Sequence, residues 1–143
     1  MEYNWAQGNT QTARDAMQIR MQVFVAEQGF SAAAQHDGLD DISWHVVGYS
    51  PAGALQCTAR ITPQQGTVWH VGRVAVLAQW RGTGVGRQLL EQVFAKARSL
   101  GVTRLTLTAQ QDKVGFYSAV GFVPVGQAYI HEDYPHIDVE YNL

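Results

Sequence analysis

Apolar residues recur every four positions between Thr10 and about Ala26, where Ala13, Met17, Met21 and Val25 form one row and Ile19 and Val23 widen it. That spacing predicts a helix, capped by Asn9 or Thr10 and stopped by Gly29. The polar segment from Gln35 to Asp41 reads as a loop. Three strand-like runs follow, Trp44 to Tyr49, Ala54 to Thr62 and Thr67 to Leu77, separated by the turn-forming Pro51-Ala52-Gly53 and Pro63-Gln64-Gln65-Gly66. They predict an antiparallel meander. From Gly84 to Leu100 the period returns to that of a helix. Val85, Leu89, Val93 and Ala97 form one row, Leu90, Phe94 and Ala97 its neighbour, and Gly101 ends it. Arg104 to Ala109 predicts a short strand, Asp112 to Val120 a short helix ended by Gly121, and Val123 to Ile130 and Ile137 to Asn142 two last strands. A further strand at the very start is left open. Antiparallel strands followed by a strand-helix-strand unit predict a mixed α/β sheet, not a doubly wound parallel one.

The chain's 143 residues fit one domain, residues 1–143, without linker or repeat. Hydrophobic residues at 46% and charged residues at 15% predict a globular chain with a core of its own. A single cysteine, Cys57, excludes a disulfide within the chain and fits a reducing compartment. Met1 to Trp5 lack the basic start and apolar run of a signal peptide, and no apolar stretch reaches the roughly 20 residues of a membrane span. A cytoplasmic place and no membrane partner are therefore expected. A net charge of -2 argues against nucleic acid as partner, and the apolar content is compatible with a homodimer.

The most informative segment is the turn before the second long helix, Arg81-Gly82-Thr83-Gly84-Val85-Gly86-Arg87. Glycines let backbone approach a ligand, and a helix N-terminus offers unpaired N–H groups and a positive dipole end. Together they predict a seat for a phosphate, with Arg81 and Arg87 adding charge. The turn has no Gly-Lys-Ser/Thr ending of a P-loop, and Arg87 stands where a dinucleotide fingerprint needs its third glycine.

What remains, Arg-x-x-Gly-x-Gly, resembles the pyrophosphate loop of the GNAT family of N-acetyltransferases. Gly72-Arg73-Val74-Ala75-Val76 resembles that family's bulged strand, and Gln110 through Phe122, with Phe116-Tyr117 and Gly121-Phe122, its Asn-x-x-Ala-x-x-Phe-Tyr-x-x-x-Gly-Phe segment. Gln110 departs from the usual Asn. Arg20, Val23-Phe24-Val25, Glu27-Gln28, Asp37, Asp40, Asp41, His45, Ala109-Gln110 and Pro135-His136 further resemble the ElaA-like branch. There Glu132-Asp133-Tyr134-Pro135-His136 departs from the branch's Glu-Asp-Gly-Ile-Pro-His.

The resemblance implies a GNAT fold: a mostly antiparallel sheet flanked by helices and splayed at an acetyl-CoA site. Acetyl-CoA would be the co-substrate, its pyrophosphate on Arg81 to Arg87 and its pantetheine along Val74, Ala75 and Val76 toward Gln110 and Phe116. The Val76 N–H is the candidate to polarise the thioester. Tyr117 sits where the family's tyrosine protonates the departing thiolate. A phenol near pKa 10 is close to a thiol.

His70 is the candidate base: it lies on the strand feeding the turn, and period-two alternation would put it on one face with Gly72, Val74 and Val76. Glu27 or Asp41 are alternative bases, directly or through water. Glu27, Asp37, Asp40 and Asp41 are expected to border the acceptor entrance and attract a cationic amine. Glu27, Asp41 and His136 are the candidate acceptor contacts. His131, Asp133 and His136 lack a zinc spacing, so no metal is expected.

The implied reaction is acetyl transfer to a primary amine, of a small molecule or a peptide, by direct attack. The alternatives are a catalytically silent acyl-CoA-binding or sensing module and a protein-interaction domain without ligand.

Overall fold

The computed structural model describes residues 2–143. Strand β1 (Glu2–Gln7) opens the chain. Helix α1 (Gln11–Arg20) follows, capped by the Thr10 hydroxyl, which accepts from the Ala13 N–H at 3.2 Å. The helix does not end at Arg20. It widens to a π-type helix over Met21–Glu27, where the Gln28 N–H reaches back five residues to the Val23 carbonyl. Its buried row is Ala16, Ile19, Arg20 and Val23, whereas the expected row of Ala13, Met17, Met21 and Val25 is only half-buried. An arginine holds a core position that apolar periodicity could not reveal. Two single helical turns, Ala33–Gln35 and Asp40–Ile42, interrupt the expected loop.

Strands β2 (Trp44–Tyr49), β3 (Leu55–Gln65) and β4 (Val68–Val76) form the meander. Helix α2 (Val85–Ser99), strand β5 (Arg104–Gln110), helix α3 (Val114–Ala119) and strands β6 (Val123–His131) and β7 (Tyr134–Asn142) complete the chain. β7 begins three residues earlier than expected, because Glu132 and Asp133 make a two-residue turn with positive φ (52° and 62°). The seven strands form one sheet in the order β1-β2-β3-β4-β5-β7-β6, antiparallel throughout except for β4 and β5.

α2 buries Val85, Leu89, Leu90, Val93, Phe94 and Ala97 against one face of this sheet, together with Ala59, Ile61, Val71, Leu105, Leu107, Val139 and Tyr117. Each Val, Leu, Ile or Phe side chain so buried stabilises the fold by about 1.5–3 kcal/mol. α1 covers the other face, where Ala16, Ile19 and Val23 pack on Val47 and Ala75. No helix among the described residues is long and apolar enough to cross a membrane.

Two irregularities position the site. The parallel pairing of β4 with β5 runs only from Val68 opposite Arg104 to Val71 opposite Leu107, so the strands part beyond it. In β4 the register slips between Thr58 opposite Ala75 and Arg60 opposite Gly72, and Arg73 takes φ 53°, a bulge. The extra residue reverses the alternation. His70 and Gly72 face α1, while Val74 and Val76 pack with Val71 against the α2 core. The expected common face of His70, Gly72, Val74 and Val76 is thereby corrected.

Candidate functional site

On the α2 face the glycine turn meets the gap between β4 and β5. Gly82 and Gly84 have φ 74° and 86°, and a Cβ at either would meet no atom within 4 Å. Gly84 is the N-cap, and Gln88 makes the first helical bond to its carbonyl at 3.1 Å. The N–H groups of Val85, Gly86 and Arg87 have no helical partner and lie at the positive end of α2. Backbone donors, open space and dipole suit an anion. Gly86 serves packing: a Cβ there would stand 3.1 Å from the Phe116 ring and 3.6 Å from Val76. Thr83 donates its hydroxyl to the Trp80 carbonyl and braces the turn. Arg87 is exposed, 3.7 Å from Glu91.

Arg81 is already engaged. Its fork holds Glu27 at 2.8 and 3.1 Å, and its Nε donates to the Val76 carbonyl at 2.9 Å. Glu27, an expected acceptor contact, is thus a strut between the end of helix 1 and the turn. Beyond β4 the Leu77 N–H bonds to the Gln56 carbonyl on β3. Ladder alternation therefore turns the Val76 N–H away from β3, toward the gap. Tyr117 lies on this face, 7% exposed, between Phe116 (5.1 Å) and Phe122 (5.8 Å). Burial pushes its phenol well above its ordinary value. It keeps its proton at any working pH, and its match to a thiol is poorer than a free phenol's.

His70 stands on the opposite face. Its Nδ1 is 2.8 Å from the Thr106 hydroxyl, which itself donates to Gln64 Oε1 at 2.9 Å. Thr106 must then accept from Nδ1–H, which leaves Nε2 with a free lone pair. Nε2 lies 3.9 Å from where a Cβ on Gly72 would stand. Burial, with the charges of Arg60 and Arg73 against that of Asp138, lowers the His70 pKa and keeps the ring neutral. His70 and Tyr117 are thus on opposite faces of the sheet, with the gap between β4 and β5 connecting them.

Gln110 is on the His70 face by alternation with the buried Leu105, Leu107 and Ala109. Its amide bonds to Gln28 (2.7 Å), not to the glycine turn. His136, opposite Gln110, is buried, with Nδ1 2.8 Å from the Tyr134 carbonyl and its ring 5.3 Å from that of His131. Asp41 is exposed on the turn Asp40–Ile42.

The other loop carboxylates do not wait for a cation. Arg60 forks onto Asp37 at 2.7 and 2.9 Å and reaches Asp40 at 3.0 Å. Arg20 holds Asp40 at 3.0 Å and also donates to the Gln35 carbonyl, and Arg73 adds a 3.2 Å bond to Asp37. Desolvation opposes ionisation of both carboxyls, but the arginines outweigh it, holding Asp37 well below the usual range and lowering Asp40 as well. This network escaped sequence reasoning, because its arginines are 40 and 13 residues apart. Its one local signal was a lone charge inside an otherwise apolar run, as in Ala59-Arg60-Ile61.

The family model of the acetyltransferase (GNAT) domain matches residues 7–143. ElaA of Escherichia coli is 31% identical over 125 residues, 85% of this chain and 81% of ElaA. Its crystal structure superposes with TM-score 0.85 at 28% identity, covering 97% of each chain. An acyl-CoA N-acyltransferase from Pseudomonas aeruginosa gives TM-score 0.83 at 28% identity, again over 97% of each chain. At the level of fold alone, an aminoglycoside 6'-N-acetyltransferase complexed with coenzyme A gives TM-score 0.76 at 18% identity, over 99% of this chain and 97% of that one.

Proposed function

The chain belongs to the GNAT family of acetyltransferases, and from that premise we propose that it moves the acetyl group of acetyl-CoA onto a primary amine by direct attack. The observation that carries this reading is the gap beyond Val71 and Leu107, with an anion seat on one face and a free imidazole nitrogen on the other. Acetyl-CoA supplies an activated thioester. Val85, Gly86 and Arg87 offer N–H groups to its pyrophosphate, and the open edge of Val74 to Val76 takes the pantetheine.

His70 Nε2 takes the amine proton, and the Val76 N–H polarises the thioester carbonyl. As the C–N bond forms the C–S bond breaks, and the Tyr117 hydroxyl donates a hydrogen bond to the departing sulfur. A covalent route through Cys57 is unfavourable. The side chain is fully buried, and burial pushes the thiol up to about 12.

Two substitutions test the roles by thiol release. His70→Gln is expected to lower kcat/KM by about a hundredfold. In the wild type, protonation of Nε2 removes the base. Because the folded pKa is lowered, the acid limb of kcat/KM should fall below pH ~6.5, and it should vanish in the variant. A limb that persists unchanged would assign the base elsewhere. Tyr117→Phe is expected to leave the acetyl-CoA Kd intact and lower kcat by about tenfold. Wild-type turnover across the pH range would remove Tyr117 from the mechanism, and a silent module would show binding without release.

A further inference from the structure

The face around His70 is divided by charge. On its β3 side Arg60 is only 4% exposed, and its Nη2 lies 3.9 Å from where a Cβ on Gly72 would stand, as far as His70 Nε2 does. Among the described residues the Nε atoms of Arg60 and Arg73 are buried without a partner. Three arginines (20, 60 and 73) meet two aspartates (37 and 40) in this network, which leaves one positive charge in excess. His45 does not add to it, because burial lowers its pKa. On the β7 side of His70 stands Asp138, exposed, opposite Thr108, with the Thr108 and Tyr129 hydroxyls donating to it at 3.2 and 2.7 Å. Its charge acts on His70 in the opposite sense to those of Arg60 and Arg73.

Gly72 lacks a side chain where the free imidazole nitrogen and the buried guanidinium converge. We propose that the acceptor is a small amine that also carries an anionic group, the α-amino acids being the simplest case. Its anion rests over Gly72 against Arg60 and Arg73, and its amine lies between His70 and Asp138. Three guanidiniums share two carboxylates here, and a carboxylate on the acceptor supplies the missing negative charge. A diamine would instead bring a second cation against the arginines. This inference rests on acetyl transfer with His70 on the acceptor side, as proposed above.

The test is thiol release from acetyl-CoA with each common α-amino acid beside its own amide, and with putrescine as the dication. At least one amino acid is expected to show a kcat/KM about tenfold or more above that of its amide, with putrescine below both. Arg73→Gln, at the half-buried rim of the network, should bring the acid-to-amide ratio close to one, chiefly through KM, and Arg73→Lys should restore part of it. Acetyl-CoA titration of both variants reports whether they are folded. Amides or putrescine used as well as the amino acids would overturn this inference and leave acetyl transfer standing. No release with any amine, acetyl-CoA still binding, would overturn both.

Discussion

Gly84→Asp is expected to weaken acetyl-CoA binding by about a thousandfold in a calorimetric titration. Two unit charges about 4 Å apart repel by ~4 kcal/mol at the effective dielectric of a protein surface, and a carboxylate at Gly84 would stand inside the anion seat. The variant should fold, since a Cβ there meets no atom within 4 Å. The φ of 86° is one that Asp and Asn adopt more readily than other residues. Gly84→Asn is therefore the matched control, with the same shape and backbone cost but no charge. It should lose far less, about tenfold or under, since one residue's strain is of order 1 kcal/mol. Equal losses in Asp and Asn would mean that backbone geometry, not charge, matters at this turn. Unchanged affinity in Gly84→Asp would remove the turn from the CoA site.

Local pattern carried the reading at α2 and at the glycine turn, and less well at α1, where Arg20 took a core position. The stripe from Val85 to Ala97 became the buried face of α2, and Gly82 and Gly84 of the turn took the left-handed backbone that a close approach requires. What sequence could not carry were features set by register between distant strands. The bulge at Arg73 exists because Thr58 to Arg60 on β3 opposes one residue more on β4. No property of Gly72-Arg73-Val74 in isolation tells which of them is left over, so His70 was expected on the face of Val74 and Val76 and stands on the opposite one. The pairing of the loop carboxylates was hidden for the same reason. Asp37 and Asp40 look like a solvated acidic loop until Arg20 and Arg60 arrive beneath them from α1 and β3. Only the summed network, with its excess of arginine, changes the expected acceptor from a simple cation to an amine that brings its own anion.

That network also gives the largest expected effect on stability. Asp40 joins Arg20, 1% exposed, to Arg60, whose side chain is 5% exposed. Asp40→Asn removes the charge and keeps the shape. The backbone carbonyl that meets His45 Nε2 at 3.0 Å is also kept, so that contact survives the substitution. It leaves the buried Arg20 guanidinium with the Gln35 carbonyl but no carboxylate, while Arg60 keeps Asp37, and removing one partner of a buried ion pair costs about 3–5 kcal/mol. In thermal unfolding at pH 7 the Tm should fall by roughly 10–15 °C for a domain of this size.

The pH profile provides the second readout. The folded pKa of Asp40 is depressed below its unfolded value. The stability it contributes is therefore complete above the usual carboxylate pKa of ~3.9 and is lost as pH falls through the folded value. The wild type should lose Tm progressively below pH ~5. Asp40→Asn should show a shallower acid slope, with the remainder carried by Asp37, so that the two curves converge at low pH. A variant within about 2 °C of wild type at pH 7, with the acid slope unaltered, would mean that the arginines draw their stability from Asp37 and backbone carbonyls alone. The charge balance on which the amino-acid acceptor rests would then need to be drawn again.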